Sequence, residues 1–247
     1  MPAFAGMTVQ GNWKRKNMTP RLILAVIIAG LCAGLIMGGI QHYKLTPLIS
    51  IAETFEKPET ADQPCVQTMP GMDMCAESWT PAEGFERAAY TTATTMLTGA
   101  GFALLIAGIS FVSGLPITKQ NGLIWGLCGF LAICLAPAAG LPPELPSMPV
   151  ADLHARQLWW VATAASTGFA LYLNAGRKEP WSKPLAALAI ALPQLFSIAQ
   201  PMPNATEIPP LLAAEFVSAS IVANAIFWAL IGLFVAHAIS YIESKNQ

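Results

Sequence analysis

The chain has 247 residues, of which 54% are apolar and only 11% charged, with a formal net charge of −1 and a mean hydropathy of +0.52. Soluble domains carry about 25% charged residues, so this composition excludes an ordinary soluble enzyme. The absence of a basic excess argues against a nucleic-acid partner, and the natural surroundings of the chain are a lipid bilayer.

Residues 1–18 read as a flexible N-terminal tail, and Met7 or Met18 could equally be the start of translation. Residues 19–243 read as a single transmembrane domain. Six long stretches carry no Asp, Glu, Lys or Arg (22–43, 88–118, 120–143, 157–176, 184–206 and 216–242). A spanning helix takes about 20 predominantly apolar residues, which predicts helices near 22–41, 91–112, 121–139, 157–175, 185–200 and 216–238. The expected fold is therefore all-α, a polytopic membrane helix bundle of about six transmembrane helices. The first stretch is longer than the 7–15 apolar residues usual in a signal peptide and reads as a signal anchor. The fifth is the weakest, because its apolar part is short and contains Pro193. If 185–200 does not cross, five spans remain.

Lys and Arg set the orientation. The N-terminal tail, the 113–120 and 176–184 loops and the C-terminus together hold nine, whereas the alternate segments hold four (Lys44, Lys57, Arg87 and Arg156). Excess Lys and Arg mark the cytoplasmic side, so both termini are expected there, with a long periplasmic loop at 42–90.

Small residues point to close helix packing. Gly30, Gly34 and Gly38 recur every fourth position in the first helix, and Gly122 and Gly126 repeat the spacing in the third. Thr91, Thr92, Thr94, Thr95 and Thr98 give the second helix a hydroxyl-rich first half, suited to a polar path or to bonding its own backbone, the second reading being preferred. Cys32, Cys128 and Cys134 read as packing residues. Charged residues mark proton relays and ion pathways inside membranes, and here His42, Glu215 and His237 lie only at helix ends. A GxxxxGK[ST] phosphate loop is also missing, so a self-sufficient proton- or ATP-driven carrier is disfavoured.

Ligand chemistry collects in the outer loops. The segment Cys65-Val-Gln-Thr-Met69-Pro-Gly-Met72-Asp73-Met74-Cys75 sets two thiols around three thioethers and a carboxylate. In an oxidising compartment Cys65 and Cys75 read as a disulfide, with direct metal binding by the thiols as the alternative. Met69, Met72, Asp73 and Met74 form a secondary, softer metal site. The next outer loop carries Glu144, Asp152 and His154 between four prolines and Trp159-Trp160, an interfacial aromatic pair. Imidazole and carboxylate suit divalent ions such as Co(II) and Ni(II), whereas sulfur favours Cu(I). The candidate metal ligands are His42, Glu53, Glu144, Asp152 and His154. Asp152 is also placed to cap the following helix, and Arg156 to pair with either carboxylate.

The combination of Arg21-Leu-Ile-Leu-Ala, Gln41-His42, Thr46-Pro47-Leu48-Ile49, Ala52-Glu53, Phe85-Glu86-Arg87, Leu97-Thr98-Gly99-Ala100-Gly101-Phe102-Ala103, Gly140-Leu-Pro-Pro-Glu144-Leu-Pro and Ala155-Arg156-Gln157-Leu158-Trp159-Trp160 resembles the CbtA family, the proposed cobalt transporter subunit of bacteria. The likeness runs from about residue 19 to 240. It implies a multi-pass protein of the bacterial inner membrane acting in Co(II) uptake for cobalamin-related needs. It also implies a small single-span partner, CbtB, that carries histidines. Cys and Met stand here where some relatives are expected to hold histidines in the first outer loop. No tightly bound cofactor and no enzymatic activity are expected. Co(II) is the expected cargo, with Ni(II) or Cu(I) as alternatives, and assembly into a homo-oligomer is left open. Two other classes compete: a membrane thiol oxidoreductase using Cys65 and Cys75, which lacks a CxxC pair, and a structural assembly subunit of a membrane complex.

Overall fold

The computed structural model describes residues 20–55, 81–82, 84–196 and 207–245. All regular structure among them is helical: α1 (Pro20–Ile40), α2 (Thr46–Glu53), α3 (Phe85–Ser113), α4 (Gly122–Phe130), α5 (Ala136–Ala138), α6 (Leu153–Gly176), α7 (Ser182–Leu195) and α8 (Pro210–Lys245). Cys65, Cys75, Met69, Met72, Asp73 and Met74 lie outside the described residues.

Three helical stretches are long and apolar enough to cross a membrane: Pro20–Glu53, Phe85–Ser113 and Pro210–Lys245. Gly122–Ala138 is a shorter apolar helix. At 36 residues, α8 reaches about 54 Å at 1.5 Å per residue, well beyond a hydrocarbon core of about 30 Å. The 24 residues of α6 give about 36 Å, and the 14 of α7 about 21 Å.

Helix α1 runs on through α2 beyond its apolar stretch, and two proline positions are passed in the same way. A π turn over Gln41–Leu45 joins α1 to α2, and a second over Leu131–Leu135 joins α4 to α5. Thr46 donates its N–H to the carbonyl of Gln41, and Ala136 to that of Leu131. Each is a bond five residues back, and each is followed at once by a proline, Pro47 or Pro137. Proline has no N–H, and its ring collides with the carbonyl four residues before it. The wider turn moves that carbonyl aside, so the helix bends past a residue that would otherwise end it. Where a helix does stop, the signal is local: Gly114 at φ 70° closes α3 in the left-handed conformation.

Glycine decides which helices touch. A Cβ on Gly34 would lie 2.5 Å from the Thr95 carbonyl oxygen and 2.8 Å from the Met96 nitrogen, and one on Gly30 would lie 2.6 Å from Ala100 Cα. Only hydrogen fits there, and α1 and α3 pack backbone to backbone in antiparallel order. On the other side of the bundle Gly122, Gly126 and Gly232 do the same for α4 and α8. This is the role that the four-residue spacing predicts.

The core runs through α1, α3, α4 and α8 and includes Val26, Ala33, Met37, Ile106, Phe130, Phe227, Ile231 and Val235. At its centre the Trp228 indole is fully buried. It stacks on Phe102 with ring centroids 4.6 Å apart, donates to Cys134 Sγ at 3.3 Å, and sits where a side chain on Gly129 would collide with it. Cys134 and Cys128 are half-buried, but Cys32 is exposed, so it is not the packing residue expected of it. A second small core, Ala170, Leu173 and Ala186, holds the α6–α7 hairpin together.

Candidate metal-capture end of the bundle

Antiparallel packing brings the candidate ligands to one end of the molecule. Successive positions Gly30, Gly34 and Gly38 meet Ala100, Met96 and Thr92, so the end of α1 lies beside the start of α3. Residues 114–121 carry the chain from α3 straight into α4, which places the far end of α4 with the start of α3. There Gly140 packs against the Trp159 ring, and Gln194 Nε2 donates to the Ala136 carbonyl at 3.1 Å, adding the start of α6 and the end of α7. His42, Glu53, Glu144, Asp152 and His154 all belong to this end.

Three of the five already have structural partners. The Glu53 carboxylate is gripped by both terminal nitrogens of Arg87, with Nη1 donating to Oε2 at 3.0 Å and Nη2 to Oε1. Glu144 Oε2 accepts from Arg156 Nη2 at 2.6 Å, in a half-buried pair. Asp152 Oδ1 accepts the Ala155 N–H at 2.9 Å and so caps α6. The two histidines differ: both are exposed, and His42 makes an edge contact with Tyr43, ring centroids 5.6 Å apart. Among the described residues, no three His, Cys, Asp or Glu side chains form a group that could hold a metal ion. This end of the bundle thus carries two exposed imidazoles and two carboxylates paired with arginine.

The 140–152 loop between them is fixed in shape. Leu145 is buried in the main core, its N–H donates to Met148 Sδ at 3.4 Å, and Ser147 takes a left-handed φ of 65°. The Trp159 indole N–H is shared between the carbonyls of Pro193 (3.1 Å) and Phe196 (2.9 Å). Trp159 is thus a buried anchor of α7, and Trp160 is the exposed member of the pair.

The threonines of α3 bond their own helix. Thr94, Thr95 and Thr98 donate to the carbonyls of Tyr90, Thr91 and Thr94 at 2.9, 2.7 and 2.9 Å, and Thr95 also lies 2.7 Å from Gln41 Oε1 on the first π turn. Polarity that the sequence did not single out lies instead in α6, where the Thr163 and Thr167 hydroxyls are buried without a hydrogen-bond partner. A cavity of about 420 Å³ between α3, α4 and α6 is lined by residues such as Ile106, Trp125, Ala164, Gly168 and Trp228, and no carboxylate or imidazole reaches it. Its lining suits hydrocarbon.

A sequence model of the CbtA family, described as a probable cobalt transporter subunit, matches residues 19–240, nearly the whole chain. The chain belongs to the CbtA family. Comparison with curated proteins and with solved structures found no match. Membership and the apolar helices give the chain a role in membrane metal transport, as a subunit of a larger transporter.

Proposed function

We propose that this chain is the six-span inner-membrane subunit of a bacterial Co(II) importer, with both termini in the cytoplasm and with the His42 and His154 end outside, collecting the ion. The observation that carries the reading is the family match over residues 19–240. Placement of the candidate ligands at one end of the bundle supports it, because capture requires donors on a single face. His42 and His154 offer imidazole to an arriving ion, the side chain most often used to bind metals. Glu53 and Glu144 follow once the ion competes with Arg87 and Arg156 for their oxygens, and Asp152 can lend its second oxygen while still capping α6. Met69, Met72, Asp73 and Met74 make a secondary site on the first outer loop, closed by a Cys65–Cys75 disulfide. A small single-span, histidine-bearing partner of the CbtB kind completes the transporter.

Metal content of a deletion strain tests this directly, with cobalt, nickel and copper measured in parallel. Cobalt accumulation should fall in the deletion and return with the gene. Unchanged cobalt alongside a fall in copper would move the cargo to the methionine and cysteine loop.

A further inference from the structure

Two cavities lie side by side on one flank of the bundle. The deeper, of about 420 Å³, runs between α3, α4 and α6, and a shallower one follows α3 over Leu104, Gly108 and Val112. They meet at Leu105, Ile109, Ser113 and Tyr172. A Cβ on Gly168 in the first, or on Gly108 in the second, would find nothing within 4 Å, so neither glycine serves the helix contacts that Gly34 and Gly126 make. None of the main-core residues comes from α6 or α7, which keep a small core of their own. The deeper cavity is the seam between the two.

Its shape selects the occupant. Along α6 the lining runs from Trp160 to Ala175, about 22 Å at 1.5 Å per residue. Spread over that length, 420 Å³ leaves a slot about 4–5 Å wide, enough for one methylene chain at carbon contact distances of about 3.5–4.0 Å. A helix, about 10 Å across, does not fit. The slot opens sideways to the bilayer, since Leu105, Ile109 and Val161 on its rim are 42%, 49% and 55% exposed. Hydroxyl and amide side chains line it at one end only: Ser113, Asn121 and Tyr172. The Tyr172 ring lies against Gly176, where α6 stops.

That end is also basic. It gathers the start of α1, the α3–α4 turn, the α6–α7 turn and the end of α8, with Arg21, Lys119, Arg177, Lys178, Lys183 and Lys245 against Glu179 and Glu243. Lys119 stands between the lining residues Pro116 and Asn121, and Arg177 and Lys178 follow the lining residue Ala175. All three are exposed, and the pairing of Arg177 with Glu179 is long, at 3.8 Å.

We propose that the two cavities hold the paired acyl chains of one anionic phospholipid, with its headgroup among Lys119, Arg177 and Lys178. Hydrocarbon fills the slot and the groove beside it, while basic pockets at the ends of membrane helices attract such headgroups. The bound lipid packs the α6–α7 hairpin against the main core, and without it the hairpin is held mainly at the Trp159 end. The site needs a bilayer around the chain but no particular cargo, so it stands apart from the capture of an ion at the opposite end.

The test uses the full-length protein in phosphatidylcholine nanodiscs doped with phosphatidylglycerol brominated on its acyl chains. Trp228 lines the slot yet is otherwise fully buried, so bromine that quenches it has entered the cavity. Tryptophan quenching should saturate at a low fraction of this lipid, and brominated phosphatidylcholine should need about tenfold more, the scale on which a few Lys and Arg draw anionic lipid. Quenching that rises in simple proportion to bromine, whatever the headgroup, would overturn the site. Joint Lys119→Gln, Arg177→Gln and Lys178→Gln substitution should abolish the preference for phosphatidylglycerol, and a preference that survives overturns the headgroup assignment. Gly168→Phe places a ring in the slot and should abolish saturable quenching, whereas Gly101→Phe, also directed into open space but outside the lining, should not. Saturable quenching retained by Gly168→Phe would sink the proposal. So would a photo-reactive residue at position 168 that joins a protein in cells rather than a phospholipid.

Discussion

Glu53 closes α2 and Arg87 opens α3, and the two meet fork to fork, with both terminal nitrogens of the guanidinium on the two oxygens of the carboxylate. The pair links the end of α2, itself seated on the core through Leu48, Ile49 and Ala52, to the first turn of α3. It is half-buried, with side chains 25% and 33% exposed, so solvent screens part of the attraction, although bidentate geometry keeps it above the level of an ordinary surface pair. A double-mutant cycle with Arg87→Ala and Glu53→Ala, read as thermal stability in detergent, should give a coupling of about 1 kcal/mol. Strictly additive effects would mean that the pair braces nothing.

Gly34 and Gly101 make a matched contrast between glycines. A methyl group on Gly34 meets the backbone of Thr95 and Met96, which cannot step aside, whereas one on Gly101 finds nothing within 4 Å. Gly34→Ala should therefore force α1 and α3 apart, at about 1–3 kcal/mol as for other overpacked cores, and lower the folded amount recovered from membranes. Gly101→Ala should be neutral or slightly stabilising, since alanine favours the helix. Equal recovery of the two variants would remove the glycine interface as the reason for the spacing.

That interface was legible in the sequence because a four-residue repeat of glycine has one strong physical meaning in lipid. The apolar cores of the helices were legible for the same kind of reason, their uncharged length. Their ends were not. Lys44, Pro47 and Glu53 read as the start of a loop, yet a single π turn carries the helix through all three, and nothing in composition marks such a turn. The carboxylates were ambiguous in another way. Glu53 pairs with a residue 34 positions away, a distance over which sequence cannot say whether an acid waits for a metal or for an arginine. Thr163 and Thr167 were silent, because a threonine in an apolar helix looks alike whether or not its hydroxyl has found the carbonyl one turn back.

The proposed orientation, with both termini in the cytoplasm, rests on the Lys and Arg distribution. A reporter active only in the cytoplasm, fused after Gln247, should report, and so should one inserted in the 177–181 turn between α6 and α7. The informative outcome is disagreement between the two. With its 14 residues, α7 falls short of the hydrocarbon thickness on its own, and an inserted reporter inside with a terminal reporter outside would make it re-entrant, leaving five crossings.

Cys65 and Cys75 should be bridged if the 42–90 segment is periplasmic, since no reducing glutathione pool protects thiols there. Closing a loop of this size would contribute about 2–3 kcal/mol in the chain-entropy model. Membrane-impermeant thiol reagents applied to whole cells should label neither residue until a reductant is added. Labelling without reductant would leave the thiols free to bind metal beside Met69, Met72 and Met74.

His42 and His154 are the decisive substitutions for ion capture. Both are exposed at the same end of the bundle, and neither Glu53, Glu144 nor Asp152 can replace them without giving up an arginine or sharing its cap duty. An ion reaching this end would meet these imidazoles and the exposed Glu215 carboxylate near the start of α8 before the arginine-held acids. Replacing both histidines by Ala should reduce cobalt accumulation at low external cobalt far more than at high, because capture limits entry only when the ion is scarce. Membrane abundance should not change, as neither side chain is buried. Glu144→Gln is the instructive companion, because it loosens Arg156 as well and should lower stability along with uptake. Wild-type accumulation by the double histidine variant at every cobalt concentration would defeat the assignment of these residues as ligands and leave the helix packing untouched.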